Sequence, residues 1–223
     1  MFAPRSLRYY VGSKLRSDPV FAVAYELVRD SAEPILDVGC GIGLLAFYLR
    51  ERGWSQPITG IDIDGRKIAR AKEVQQRGSY FGLEFEVHDV AAKLPPACGH
   101  VVLFDVLHYL QSDEQQTLLI ELAKRVAPDA LLLLRDCPRD GSARFVATYV
   151  GELFAQMISW NGRTPLNFPT TDSIRSTMSD AEFSREIRPT WGATPFNNQL
   201  FIFRRRACAA QPAEESRTDI RGR

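Results

Sequence analysis

Apolar and polar positions along this chain switch repeatedly between two periods. From about Ser6 to Asp30, Val20, Val23, Ala24, Leu27 and Val28 recur at helical spacing with Glu26, Arg29 and Asp30 between them, which predicts a helix. Pro34 then opens a short apolar run, Ile35–Val38, that reads as a strand. Leu44 to Arg52 reads as a helix with Gly53 as its stop. The alternation continues with a strand at Ile58–Asp62, a polar-faced helix at Arg66–Arg77 and strands at Leu83–His88 and Val101–Asp105. A helix from Asp113 to Val126 follows, with Ser112 as its cap and Asp113 and Glu114 suiting its N-terminal dipole, and then a strand at Ala130–Arg135. The first, fourth and fifth strands are nearly continuous apolar runs, as expected of parallel strands covered on both faces.

The last third has a different pattern. Phe145 to Trp160 predicts a long amphipathic helix, Asn161 to Thr171 is irregular, and a short helix is expected over Thr171 to Ser179. Two further strands, Phe183–Arg188 and Gln199–Arg204, are joined by a loop containing Trp191, Gly192, Pro195 and Asn197. Strand–helix alternation argues for a doubly wound α/β sheet. The expected organisation is an N-terminal helical cap over residues 1–32, a main domain over 33–206 with a helical, lid-like insertion at 143–180, and a polar, aperiodic tail over 207–223 that reads as mobile.

One junction in this pattern carries chemistry. The run Ile35-Leu-Asp37-Val-Gly39-Cys40-Gly41-Ile-Gly43-Leu-Leu-Ala46 is a strand ending in an acid, three alternating glycines, and the start of a helix. Such a strand–turn–helix builds a nucleotide pocket at the strand's carboxyl end, because glycine lets the backbone turn sharply and approach a ligand. About 20 residues further on, the second strand also ends in an acid, Asp62, placed where a carboxylate accepts ribose hydroxyls.

Together these segments resemble motif I and the following acidic motif of the class I S-adenosylmethionine-dependent methyltransferases, over about residues 33 to 136. The resemblance implies a Rossmann-like seven-stranded sheet, mostly parallel, with an antiparallel terminal hairpin whose last strand lies beside the fifth. It implies S-adenosyl-L-methionine as cofactor and S-adenosyl-L-homocysteine as product. Gly39, Cys40, Gly41 and Gly43 would form the loop under the cofactor, and Asp37 would bond near that loop or the cofactor's ammonium group. Asp62 would hold the ribose, with Ile63 on the adenine. Asp89, with Val90 beside it, would accept the adenine amino group, and Asp105 would sit where cofactor and acceptor meet. The segments around Leu44, Asp105 and Leu131 are also similar to small bacterial methyltransferases found with aryl-polyene pigment enzymes, which would imply an aromatic acceptor that could be carrier-linked.

Acid–base chemistry points to His108, just past the fourth strand, since an imidazole can take a proton from a weak acid near neutral pH. A histidine packed at a loop–helix junction is the alternative. Asp89 could equally be a solvated loop acid, and Asp105 a turn or capping residue. Tyr10 and Lys14, one helical turn apart, could face the acceptor together with Tyr109, Asp136 and Trp160, although an exposed helix face is the plainer reading of the first pair. Asp105 and Asp136 fall where metal-dependent catechol-type methyltransferases place acids. Cys137-Pro138 stands where those enzymes carry asparagine, so a magnesium site is not expected.

Bulk properties narrow the partners. With 28 Lys+Arg against 27 Asp+Glu the net charge is +1, so no general attraction to nucleic acid follows, and no Asn/Asp-Pro-Pro-Tyr/Phe motif follows the fourth strand. The longest apolar runs are too short to span a bilayer, and no secretory signal is evident. Cys40, Cys98, Cys137 and Cys208 form no CxxC pair, as in a cytoplasmic protein with reduced thiols. The sequence thus predicts a methyltransferase acting on a small or medium, aromatic or apolar acceptor. The alternatives are a nicotinamide-dependent oxidoreductase, since Gly41-Ile-Gly43-Leu-Leu-Ala46 also fits GxGxxA, and a non-catalytic S-adenosylmethionine-binding protein.

Overall fold

A computed structural model describes residues 5–90, 94–96, 98–157 and 165–207. Seven strands, β1 (Ile35–Val38), β2 (Ile58–Asp62), β3 (Leu83–Val87), β4 (His100–Phe104), β5 (Leu131–Asp136), β6 (Phe183–Pro189) and β7 (Gln199–Arg205), form one sheet in the order β3-β2-β1-β4-β5-β7-β6. The β1–β5 ladders are parallel, and β7 runs antiparallel between β5 and β6. This is the doubly wound sheet with an antiparallel hairpin that the sequence implied.

Helices α1 (Arg5–Ser17), α2 (Val20–Val28), α3 (Leu44–Glu51), α4 (Gly65–Gly78), α5 (Ser112–Ala123), α6 (Ala143–Met157) and α7 (Thr171–Thr177) connect or flank these strands. Two apolar clusters form because side chains alternate along each buried strand. Leu131 and Leu133 join α2, α3 and α4 residues in one cluster. Leu132 and Leu134 pack with Leu118, Leu119 and Leu122 of α5 and Ile174 of α7 in the other. All five parallel strands end on the same edge, and strand order reverses between β1 and β4. A crevice opens at such a switch point.

Three local expectations are corrected. The single helix over 6–30 is two helices, broken at Asp18–Pro19. Proline brings no N–H and disfavours helical backbone just before it, and the Asp18 carboxylate accepts the Val20 N–H at 3.1 Å. The α5 cap is Gln111, not Ser112: Glu114 Oε2 accepts the Gln111 N–H at 2.8 Å, while Ser112 Oγ accepts from Asn167 at 3.1 Å. The 15-residue α6 begins two residues early, and residues 158–160 of its expected end lie outside the described residues, as do Asn161 to Thr164 and 208–223 of the tail.

The break between α1 and α2 is fastened to the sheet by charge. Arg135 is fully buried in β5. Its Nη1 donates to both Asp18 oxygens at 2.6 Å, and its Nε donates to Asp105 Oδ1 at 2.9 Å, with Nη2 on Asp105 Oδ2. Lys14 Nζ adds contacts of 3.3 Å to Asp18 and 3.8 Å to Asp105. Removing one partner from a buried pair leaves charge uncompensated, so Asp18→Ala is expected to lower unfolding stability by on the order of 3 kcal/mol in urea titrations. A loss under about 0.5 kcal/mol, the range of ordinary surface substitutions, would contradict this role.

Candidate active site

The turn after β1 is pinned from below. Gly39 and Cys40 donate backbone N–H groups to Ile61 O at 2.8 and 2.9 Å, and Gly41 donates to Asp62 Oδ2 at 2.8 Å. Gly39 has φ +73°, and a Cβ there would come within 2.3 Å of Val106 Cγ2, so glycine is what lets the walls after β1 and β4 meet. At Gly41, φ +57°, a Cβ would meet nothing within 4 Å: the loop borders open space. Gly43 precedes α3 as its cap residue.

Two carboxylates lie beneath this loop. Asp37 is 3% exposed, and its Oδ2 has no hydrogen-bond partner. Burial, then the neighbouring Asp62 charge, push its pKa up from 3.8 to about 7. Asp62 uses its oxygens to order the backbone, with Oδ1 accepting the Asp64 N–H at 2.8 Å. Beside it Ile63 is 67% exposed, and so is Val87, which pairs with Asp62 across the β2–β3 ladder, at 58%. Asp89 is exposed in the turn after β3. Val90 is half-buried against the α5-side cluster.

Past β4, Asp105 adopts φ +58° and commits both oxygens to Arg135, an ion-pair role that the sequence did not reveal. Burial works to raise its pKa, but the charges of Arg135 and Lys14 override this and hold it below the ordinary value. A 3-10 turn, Leu107–Tyr109, then buries His108. Its Nδ1 lies 2.9 Å from Oδ1 of the fully buried Asp136, and its ring stacks on Phe168 at 5.0 Å and 12°. Nε2 is buried without a hydrogen-bond partner, 4.0 Å from Glu152 Oε2, which accepts the Tyr109 hydroxyl at 2.7 Å. Burial opposes charge on the imidazole. The Asp136 charge and hydrogen bond, with Glu152 and Asp105, outweigh it and raise the His108 pKa from 6.5 to about 9. The turn is held from behind by Asn167, whose N–H donates to His108 O at 2.8 Å, and by Gln115, whose amide reaches Leu107, Leu110 and Asn167 carbonyls.

The sequence-predicted residues therefore divide. Asp37, Gly39, Cys40, Gly41 and Asp62 gather around the turn after β1, and His108, Tyr109 and Asp136 around the turn after β4. Asp136 is His108's partner and Asp105 is Arg135's, so these acids do not face a shared ion. Lys14 is occupied by Asp18 and Asp105. Tyr10 lies on α1 one turn before it, and Trp160 lies outside the described residues. Glu152, Phe168, Val87 and Arg135 are additions. Glu152 is the lone acid of α6 and Arg135 interrupts an apolar strand, signals that were present in the sequence. Two clefts of about 320 and 220 Å³ flank α5, and neither is lined by Asp37, Asp62 or His108. The residues suit a cationic nucleoside: an orphaned buried carboxylate oxygen, a side-chain-free loop against open space, and exposed apolar side chains beside Asp62.

The folded state keeps a proton on Asp37 that the unfolded chain releases, so this group's effect on stability worsens as pH rises from about 4 to about 7. Asp37→Asn is expected to raise the thermal midpoint of the ligand-free protein at pH 8 and to change it little at pH 4. An equal shift at both pH values would contradict the burial penalty.

Comparison with known proteins agrees with this geometry. Residues 35–129 match the family model described as "Methyltransferase domain". A ribosomal protein L11 methyltransferase of Burkholderia vietnamiensis is 29% identical over 121 residues, 53% of this chain and 37% of its own length. The chain thus spans little more than a third of the curated relatives it matches first. Magnesium protoporphyrin IX methyltransferase of Synechocystis PCC 6803, crystallised with bound S-adenosylhomocysteine, superposes with TM-score 0.65 at 25% identity, covering 83% of this chain and 81% of that one. An O-methyltransferase family protein of Burkholderia thailandensis, 20% identical, shares the fold with TM-score 0.68 over 88% of this chain and 57% of its own. The match spans the glycine turn, both acids and the β4 turn, and it selects against the nicotinamide alternative: residues 35–129 carry a methyltransferase domain, and the chain is similar to S-adenosylmethionine-dependent methyltransferases.

Proposed function

We propose that this chain transfers a methyl group from S-adenosylmethionine to an ionisable oxygen of a small or medium, aromatic or apolar acceptor. The observation that carries the reading is a pair of buried side-chain atoms without hydrogen-bond partners at the carboxyl edge of neighbouring strands, Asp37 Oδ2 on β1 and His108 Nε2 just past β4. When bound, the sulfonium supplies an electrophilic methyl carbon, which an acceptor lone pair attacks as the S–C bond breaks. Asp37 attracts the donor's ammonium group. The Gly39–Gly43 loop with Cys40 accommodates its backbone, Asp62 accepts from its ribose, and Ile63 and Val87 border its adenine with Asp89 and Val90 nearby. Asp105 acts through Arg135, holding the floor.

On the acceptor side, Asp136 fixes the imidazole and Nε2 faces the acceptor. His108 is an imidazolium at neutral pH, so it pairs with an oxyanion, and in its neutral form it takes the proton of a phenol. Positioning of this kind can lower a barrier by roughly 7–11 kcal/mol. Tyr109, Glu152 and Phe168 shape the pocket, with Tyr10, Lys14 and Trp160 as candidate contributors and segment 143–180 as its outer wall. A location in the cytoplasm and a small-molecule acceptor, free or linked to a carrier, complete the proposal.

Calorimetry with S-adenosylhomocysteine tests the donor side. Asp62→Ala should weaken affinity roughly 10- to 150-fold, the worth of charge-assisted hydrogen bonds, while His108→Ala should leave it within about twofold. Unchanged affinity in Asp62→Ala would contradict the ribose assignment. Transfer of labelled methyl to a panel of phenols and carboxylic acids tests the reaction. Tight donor binding with no transfer would favour the non-catalytic alternative.

A pH–rate profile tests His108. With a phenolic acceptor, turnover should rise with pH and level near pH 9, because one proton must leave the imidazolium–phenol pair. Asp136→Asn removes the partner that raises this pKa, so it should move the inflection to lower pH and lower the plateau. An inflection that stays in place would exclude His108 as the titrating group.

A further inference from the structure

One face of α6 is apolar and exposed without interruption. Val146, Tyr149, Val150, Leu153 and Phe154 are 55, 40, 59, 41 and 63% exposed. At 100° per residue these five occupy a single arc of the helix. The opposite face is accounted for: Thr148 Oγ1 accepts the Asn197 N–H at 2.9 Å, and a Cβ at Gly151 would lie 3.1 Å from Phe196. The arc's near edge is Tyr149, whose ring belongs to the aromatic group around His108, 6.0 Å from Phe168 and 6.4 Å from Phe145. The exposed strip is therefore a continuation of the pocket wall and not a separate patch.

Charge decides what suits it. The charged side chains of α6 are Arg144 and Glu152, and both are engaged elsewhere, Arg144 over the Trp191 ring at 4.4 Å and Glu152 with Tyr109 and His108. An anionic membrane surface is drawn to basic residues flanking an apolar face, and among the described residues of α6 the arc itself carries none. A charged protein partner would likewise find no complement on it.

We propose that the acceptor is amphiphilic, with an ionisable oxygen head at His108 Nε2 and a long apolar tail lying along Tyr149, Val150, Leu153 and Phe154. This deepens, and rests on, the reading of the crevice as a methyl-transfer site. It commits the acceptor to a body longer than the aromatic pocket alone can cover. Such a tail removes a contiguous exposed apolar surface from water.

Alkyl 4-hydroxybenzoates from methyl to octyl are suitable probes, titrated by calorimetry into the S-adenosylhomocysteine-loaded protein. Affinity should tighten with chain length, by roughly up to fourfold per fully buried methylene, until the tail passes Phe154. The double variant V150S/F154S alters only exposed side chains. It should abolish the chain-length gain while leaving S-adenosylhomocysteine affinity and the thermal midpoint unchanged. Equal affinities across the series would overturn the proposal, as would a gain that survives in V150S/F154S. A wild-type dimer that V150S/F154S converts to monomer would overturn it in favour of a second copy on the strip. Failure of the wild type to bind S-adenosylhomocysteine would instead strike the methyl-transfer reading itself.

Discussion

A carboxylate oxygen buried without a hydrogen bond, close to a second carboxylate, is an expensive feature for a folded chain to keep. Asp37 is in that position, and its pKa near 7 records the cost. The backbone amides of the adjoining turn are already engaged. The Gly39 and Cys40 amides are spent on β2, and the Gly41 amide on Asp62. No basic side chain of the network past β4 is spare, because Arg135 is saturated by Asp18 and Asp105. What remains is a place where a cation is favourable and where the backbone leaves open space beside Gly41. The donor of this family carries both an ammonium and a sulfonium charge, so this destabilised acid is matched to it.

The opposite wall inverts the logic. His108 is also buried, but Asp136, Glu152 and Asp105 keep it charged, with one nitrogen left over. Burial makes Asp37 hard to ionise, whereas at His108 the neighbouring acids overcome burial and make the imidazolium hard to deprotonate. Two strongly perturbed titratable groups at the carboxyl edge of one sheet are the physical mark of a site built for ligands or proton transfer. The sheet achieves the juxtaposition by topology: β1 and β4 are neighbours whose connections leave in opposite directions, and Gly39 lets Val106 close over the turn.

Much of this was legible in the sequence because it is written locally. Apolar runs bounded by Asp37, Asp62 and Asp105 gave the parallel strands, and the glycine spacing gave the turn. Asp136 was placed correctly at the end of β5, but its partner could not be read, since the 28 residues separating it from His108 carry no periodic signal of contact. Glu152 and Phe168 depend likewise on how α6 and the loop before α7 fold back over the sheet edge. Pro19 did carry a local signal, and the helical pattern on both sides concealed it. Arg135 lies in a strand whose burial on both faces gives a charge no easy exit, which is why it demands Asp18 from another segment of the chain.

Calorimetric titration of S-adenosylhomocysteine at pH 6, repeated in buffers of different ionisation enthalpy, tests the central claim most directly. If an orphaned, largely protonated Asp37 receives the ligand's ammonium group, binding must release a proton to the buffer, and Asp37→Asn must abolish that release. Binding with no proton exchange in the wild-type protein, or release that persists in Asp37→Asn, would contradict it.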